Sequence, residues 1–328
     1  MVRRSLPALA ASMLFLAACG GGDDDAVSAG GDSGGGTDDV RQVSVGMLPI
    51  LPTAALYAGI EEGFFADRGI EITVETGQGG AALLPAVFSG QIEFATSNPV
   101  SLLQARGEGL DVRVIGHWTS ALSEGDVDIN GVVAAAGSGI ESAADLAGAT
   151  VAVNTLNGMG GLTIREAVRA DGGDPDAVEF VELPFPDMPA ALSTGNVDAV
   201  WVPEPFLSTL QDMGNQVVTY SSKESVEGHP TQLFFTSGQL MESDPALVED
   251  FTAALEETLE FAEANPEAVK EQIPEVLPQL PPEAVAGVTL EEFGTDLRRD
   301  QLERLGELMV QDGLLEDEAD LDGLLPDE

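Results

Sequence analysis

Two periodicities alternate along the chain. Short apolar runs bounded by Gly, Pro, Asn or Asp predict strands over 43–47, 70–76, 92–96, 112–115, 132–136, 150–154, 178–183, 199–202, 216–220 and 233–236. Between many of them apolar residues recur at spacings of three and four, which predicts helices over 54–62, 81–89, 99–106, 162–171, 188–194 and 204–213. Strand and helix in alternation mean parallel sheets with helices on both faces. Ligands of such sheets bind beyond the carboxyl ends of the strands.

The pattern changes near Thr236. Residues 244–265, 266–277 and 290–315 read as helices separated by Pro, with no strand among them, so the tail is expected to be a helical cap. An internal echo links Pro85–Ala95 with Ala190–Val200: each is a helix end, a Gly (Gly90, Gly195) suited to a left-handed C-cap, and the start of a strand. Two lobes built on one plan would give such an echo, although helix, Gly and strand also follow one another in unrelated α/β chains.

The amino-terminal segment follows neither period. Arg3 and Arg4 precede an almost unbroken apolar run from Leu6 to Ala17, and the run is too short to span a hydrocarbon core, so residues 1–18 read as a secretory signal. It ends in Leu16-Ala17-Ala18-Cys19, which resembles a bacterial lipobox. Cys19 is the single cysteine of the chain and has no internal disulfide partner, and acylation as a new amino terminus removes the free thiol. Residues 19–39, rich in Gly and Asp, lack the apolar content to repay ordering and are expected to be a flexible tether from lipid to folded body.

Charge narrows the choice of partners. With 13 basic and 57 acidic residues the net charge is −44. Nucleic acid is excluded as a partner, because phosphate neutralisation needs clustered Lys and Arg. The acids are spread along the chain and read as a solvated surface whose self-repulsion salt should screen. Roughly 290 residues from Val40 onward exceed what one hydrophobic core usually serves, so two lobes are expected.

Enzyme chemistry finds little support. A nucleophile needs a base within reach, yet Cys19 belongs to the anchor and the chain has only two His. No zinc, phosphate-loop, nucleophile-elbow or dinucleotide motif occurs, and no cofactor or metal is expected.

From Gly46-Met47-Leu48-Pro49 through Ala54–Ile70 the chain resembles ABC-transporter substrate-binding proteins of the nitrate, sulfonate and taurine class, to which thiamine-precursor binders are related. The likeness continues through Ser89–Ala95, Ser142–Val153, Ser193–Ala199 and Pro203-Glu204-Pro205-Phe206. It implies an α/β, two-lobed, type II periplasmic-binding-protein-like fold, each lobe a mainly parallel sheet flanked by helices, joined by two hinge crossovers. Lobe 1 would be 40–130 and 231–328 with the helical cap, and lobe 2 would be 131–230, with crossovers at Gly131–Ala136 and Gln232–Thr236. The implied function is capture of a small molecule between the lobes and delivery to an ABC permease and ATPase, by a monomer anchored through lipid on the outer face of the cell membrane or in the periplasm. A sensor or scaffold lipoprotein without a transport role is the alternative.

In that topology the strand-end loops form the ligand site. Leu48, Pro49, Ile50 and Leu51 would give an apolar wall, and Gln78, Gly79 and Gly80 a helix start with bare N–H groups. Thr96, Ser97 and Asn98 would give ligand hydrogen bonds or a helix cap. His117 and Trp118 would lie at the cleft mouth for stacking, or simply pack at a lobe edge. From the other lobe would come Asn154, Thr155, Asn157, Gly158, Met159 and Gly160, where the family usually has Gly-Ser-Thr. Glu204 either binds an amine or a cationic ring, or caps its helix. Trp201 reads as core and His229 as surface. Arg165 is the one guanidinium near these loops, reaching inward or lying on an exposed helix face. The absence of a clear cationic clamp favours a neutral or amine-bearing solute over nitrate.

Overall fold

The computed structural model describes residues 40–326; the expected signal segment, the acylated Cys19 and the tether lie outside the described residues. The strands, in chain order, are β1 (Arg41–Met47), β2 (Ile70–Thr76), β3 (Phe94–Ser97), β4 (Val112–Ser120), β5 (Asn130–Ala134), β6 (Thr150–Val153), β7 (Glu179–Glu182), β8 (Ala199–Pro203), β9 (Gln216–Thr219), β10 (Pro230–Ser237) and β11 (Glu292–Phe293). They form two sheets, ordered β11-β4-β10-β3-β1-β2 and β7-β6-β8-β5-β9. This is a two-sheet α/β architecture with flanking helices. In the first, β1 is parallel to β2 and β3, while β10 lies antiparallel between β3 and β4. In the second, β6 is parallel to β7 and β8, while β5 lies antiparallel between β8 and β9.

Those antiparallel strands are the first that each sheet receives from the other. The chain leaves the first sheet through 121–129 and returns through 226–229. Gly131–Ala136, expected as a crossover, instead begins within the second sheet, because β8 and β9 take up its backbone hydrogen bonds on both sides. Gln232–Thr236 is likewise ladder, inside β10.

Six helices follow the strands closely: α1 (Thr53–Glu61), α2 (Gly80–Phe88), α3 (Pro99–Gly107), α4 (Met159–Ala170), α5 (Met188–Ser193) and α6 (Phe206–Asp212). Their ends have local causes. Asn98 caps α3 by accepting from the Ser101 N–H at 3.0 Å, with Pro99 at the first helical position. Gly90 and Gly195, ending the repeated segments, both take φ of +68°. Each closes the same pair of bonds, Gly90 to Val87 and Gln91 to Ala86, Gly195 to Leu192 and Asn196 to Ala191.

The tail departs from three plain helices. Pro245–Ala264 is one, but 266–277 splits into Pro266–Glu271 and Ile273–Val276, and 290–315 is helical only over Arg299–Gln311. Upstream of that, β11 pairs Glu292 and Phe293 with Ser120 and Thr119 at the exposed edge of β4. A free strand edge offers hydrogen bonds that helical periodicity does not foresee. Beneath the first sheet, Phe251 of the long tail helix stacks on Phe94 at 3.9 Å and meets Phe65 and Phe234 at 5.4 and 5.8 Å.

Candidate functional site

In each sheet one strand has its neighbours running off to opposite sides, β1 between β2 and β3 and β6 between β7 and β8. The carboxyl ends at such a switch point leave a crevice. Here the two crevices face one another and share one cavity of ≈ 30 Å³. Leu48 and Ile50 follow β1, Asn98 follows β3, Asn154 and Met159 follow β6, Phe185 follows β7, and Trp201 and Pro203 end β8; all line it. The antiparallel strands contribute their opposite ends: Asn130 opens β5 opposite Pro203, and Thr231 and Gln232 open β10. Glu291, beside β11, completes the lining.

Of the residues expected from sequence, Leu48, Ile50, Asn98, Asn154 and Met159 meet at this cavity. The others surround it or lie elsewhere. Pro49 is half-buried beside Leu48, while Gln78 and Asn157 are exposed. A side chain at Gly79 would stand 3.0 Å from the Thr155 hydroxyl, so these two loops close upon each other. Gly80 has no room for a Cβ, which would fall 2.6 Å from Ser97 Cα, and a Cβ at Gly160 would fall 2.9 Å from the Trp201 ring. Gly158 begins α4 against the Thr155 carbonyl, and the Thr96 hydroxyl reaches Met47 Sδ at 3.8 Å.

His117 and Trp118 are not at the cleft mouth. Trp118 is buried edge-on to Phe234 at 5.0 Å and Phe293 at 6.0 Å, because its side of β4 faces the apolar layer under the sheet. His117 is held by the Gly294 carbonyl at 2.7 Å and the Ser120 hydroxyl at 2.8 Å, and burial lowers its pKa to about 4. His229 is fully buried rather than on the surface, and burial again lowers its pKa to about 4. Glu204 caps α6, accepting from the Ser208 hydroxyl at 2.7 Å and its N–H at 3.2 Å; burial raises its pKa and it does not line the cavity. Arg165 turns to Asp176 at 3.5 Å and lies 5.4 Å from the Phe180 ring centre.

Trp201, Phe185, Asn130, Pro203, Thr231, Gln232 and Glu291 are the lining residues that sequence reasoning missed. Attention to carboxyl ends alone hides the starts of antiparallel strands. Trp201 carried a usable signal, since it stands two residues before the end of its strand.

The chemistry of the cavity is that of neutral hydrogen bonding between aromatic walls. Phe185 and Trp201 stand 6.0 Å apart at 43°, with Phe206 stacked behind Phe185 at 6.2 Å. Trp201 Nε1 and Gln232 Oε1 are buried without a hydrogen-bond partner. Among the described residues no Lys, Arg or His lines the space, and Glu291 is its one acid. Burial raises the Glu291 pKa to about 7, against hydrogen bonds from Thr119 and Thr231 that favour the charged form. Nearby Asp128 is raised to about 6 by burial, although it accepts from the N–H groups of Leu122 and Ile129. Among the described residues no group of His, Cys, Asp and Glu is placed to hold a metal ion.

Both passages between the sheets are braced by the tail. Glu292 accepts from Ser123 N–H and hydroxyl, each at 2.6 Å, on the first passage. Arg298 joins Glu292 at 2.7 Å to the Gly228 carbonyl at 2.5 Å on the second. On the far side Arg169 of α4 pairs with the buried Asp312 that ends the tail helix at 2.5 Å. These contacts join the sheets at sites other than the cavity itself. A cavity of ≈ 30 Å³ has room for a water or two, so a larger ligand enters only if the sheets part.

Residues 52–269 match the family described as NMT1/THI5 like. A curated relative, the formylaminopyrimidine-binding protein of Halalkalibacterium halodurans, is 29% identical over 171 residues, 50% of this chain and 48% of that protein. The chain thus spans about half the length of the curated relative it matches. Among solved structures, the alkanesulfonate-binding protein SsuA from Xanthomonas axonopodis pv. citri bound to MOPS is similar with a TM-score of 0.72 and 17% identity, over 87% of this chain and 98% of that one. The periplasmic nitrate-binding protein NrtA from Synechocystis PCC 6803 follows at a TM-score of 0.69 and 16% identity, over 87% and 84%. Among the described residues no helix is long and apolar enough to cross a membrane. The chain belongs to the NMT1/THI5-like family and has the two-lobed fold of the periplasmic solute-binding proteins.

Proposed function

We propose that the protein captures a small, flat, neutral nitrogen heterocycle of the formylaminopyrimidine kind between two lobes, 40–130 with 231–328 and 131–230, and hands it to an ABC permease and ATPase. It works as a lipoprotein, held through Cys19 at the outer face of the membrane, and as a binding protein rather than an enzyme. One observation carries the ligand class. Trp201 N–H and Gln232 Oε1, a donor and an acceptor, are both buried and unpaired, on two residues lining a cavity that has no cationic side chain among the described residues. Each unpaired buried group costs about 1–3 kcal/mol, which a ligand bearing both an acceptor and a donor recovers. A sulfonate or nitrate has no hydrogen to give Gln232 and would meet Glu291 with no countercharge. The curated relative, named for binding a formylaminopyrimidine, supports the same class.

Calorimetry on the purified chain tests the reading. A formylaminopyrimidine is expected to bind and to quench Trp201 fluorescence, while taurine, MOPS and nitrate leave both signals flat. Preferential binding of either sulfonate or of nitrate refutes it.

A further inference from the structure

Glu291 reaches the cavity from outside the region that matches the family, residues 52–269. It sits one residue before the Glu292 clamp on the first passage, so its backbone is fixed by β11 against β4. The Thr231 hydroxyl, itself 2.8 Å from that of Thr119, holds Glu291 Oε2, and the residue is 8% exposed. Gln232, next along β10, lines the same cavity and carries a buried Oε1 without a hydrogen-bond partner. Among the described residues its carboxyl is paired only with those two hydroxyls, and nearby Asp128 raises its pKa.

We propose that Glu291 selects the ligand, its protonated carboxyl presenting an O–H donor and a C=O acceptor side by side to the ring nitrogen and adjacent amino group of an aminopyrimidine. This rests on the heterocycle reading of the cavity. The ring nitrogen accepts the carboxyl proton in a hydrogen bond, and the ligand's amino N–H donates to the carbonyl oxygen, so no proton is gained or lost when the acid is already protonated. Above about 7 the free carboxyl has lost its proton and binding must take one up. Affinity then falls about tenfold per pH unit. Asp128 is the charged group acting on Glu291, and it raises the pKa; Lys223 and Glu292 act in turn on Asp128, and Arg298 occupies Glu292.

The test uses the full chain with 4-amino-2-methylpyrimidine, and 2,4-dimethylpyrimidine as an analogue of the same shape without the amino donor. Titrations follow Trp201 fluorescence from about pH 7.5 to about pH 9.5, with the ring's own protonation measured separately and removed from each profile. Wild type is expected to weaken about tenfold per unit above about pH 7, and to bind the dimethyl analogue about tenfold less tightly at the low end. Glu291→Gln, which offers donor and acceptor at every pH, flattens the profile, and Glu291→Leu abolishes the preference for the amino compound. Thr231→Val removes a bond that favours the charged form and moves the onset to higher pH. A slope that persists in the Gln or Leu variant refutes the role of Glu291 while leaving the heterocycle site standing. If neither pyrimidine quenches wild type at any pH, the heterocycle reading itself falls, and the role of Glu291 with it.

Discussion

Glu291→Gln has a second consequence, visible without ligand, in the stability of the fold. Burial raises the carboxyl from 4.5 to about 7. Between those values the folded protein holds a proton that the unfolded chain has released, so stability falls as pH rises through the window and stays low above about 7. Below about 4.5 both states are protonated and the term vanishes. The interval, at about 1.4 kcal/mol per tenfold in proton affinity, amounts to about 3 kcal/mol. Gln has the shape of the neutral acid and does not titrate. The variant should therefore match wild type near pH 4.5 and exceed it by up to about 3 kcal/mol near pH 8. Urea denaturation of both proteins at the two pH values measures the difference, with an unchanged m-value as the sign that the denatured state is the same. His117 and His229 titrate in both proteins and drop out of the comparison, whereas Asp128, which acts on Glu291, titrates at lower pH in the variant once the neighbouring carboxyl is gone. An offset between variant and wild type that is equal at the two pH values refutes the reasoning.

Two further perturbations address closure. Gly79→Val puts a branched side chain where a Cβ already stands 3.0 Å from Thr155; the backbone there is extended and accepts Val, so ligand affinity should fall about tenfold or more while the unliganded melting temperature holds, and unchanged affinity by calorimetry speaks against loop contact as part of closure. Arg169→Ala leaves the Asp312 carboxylate without its partner, a penalty of about 1–3 kcal/mol that parting of the sheets relieves; X-ray scattering of the unliganded variant should give a larger radius of gyration than wild type, and an equal radius refutes a latch at this pair.

Much of the layout was legible along the chain because its causes are local. An apolar run of period two, a Gly able to take positive φ and a Pro at a helix start act over a few residues, and so β2, α3 and the paired caps at Gly90 and Gly195 fall where the pattern puts them. The five cavity residues foreseen follow parallel strands whose ends periodicity locates.

The rest was decided by what comes beside each segment in space. Asn130, Thr231 and Gln232 reach the cavity because β5 and β10 run against their neighbours, and strand direction is a property of the sheet rather than of the strand. Trp118 and Trp201 both lie in strands, yet one fills the layer under its sheet and the other lines the cavity, a choice made by which face of each strand is covered. Glu291 stands 60 residues along the chain from the Thr231 hydroxyl that holds it. No periodicity carries such a pairing: hydrophobic pattern fixes which side of an element is buried, and only the packed sheets fix what is buried against it.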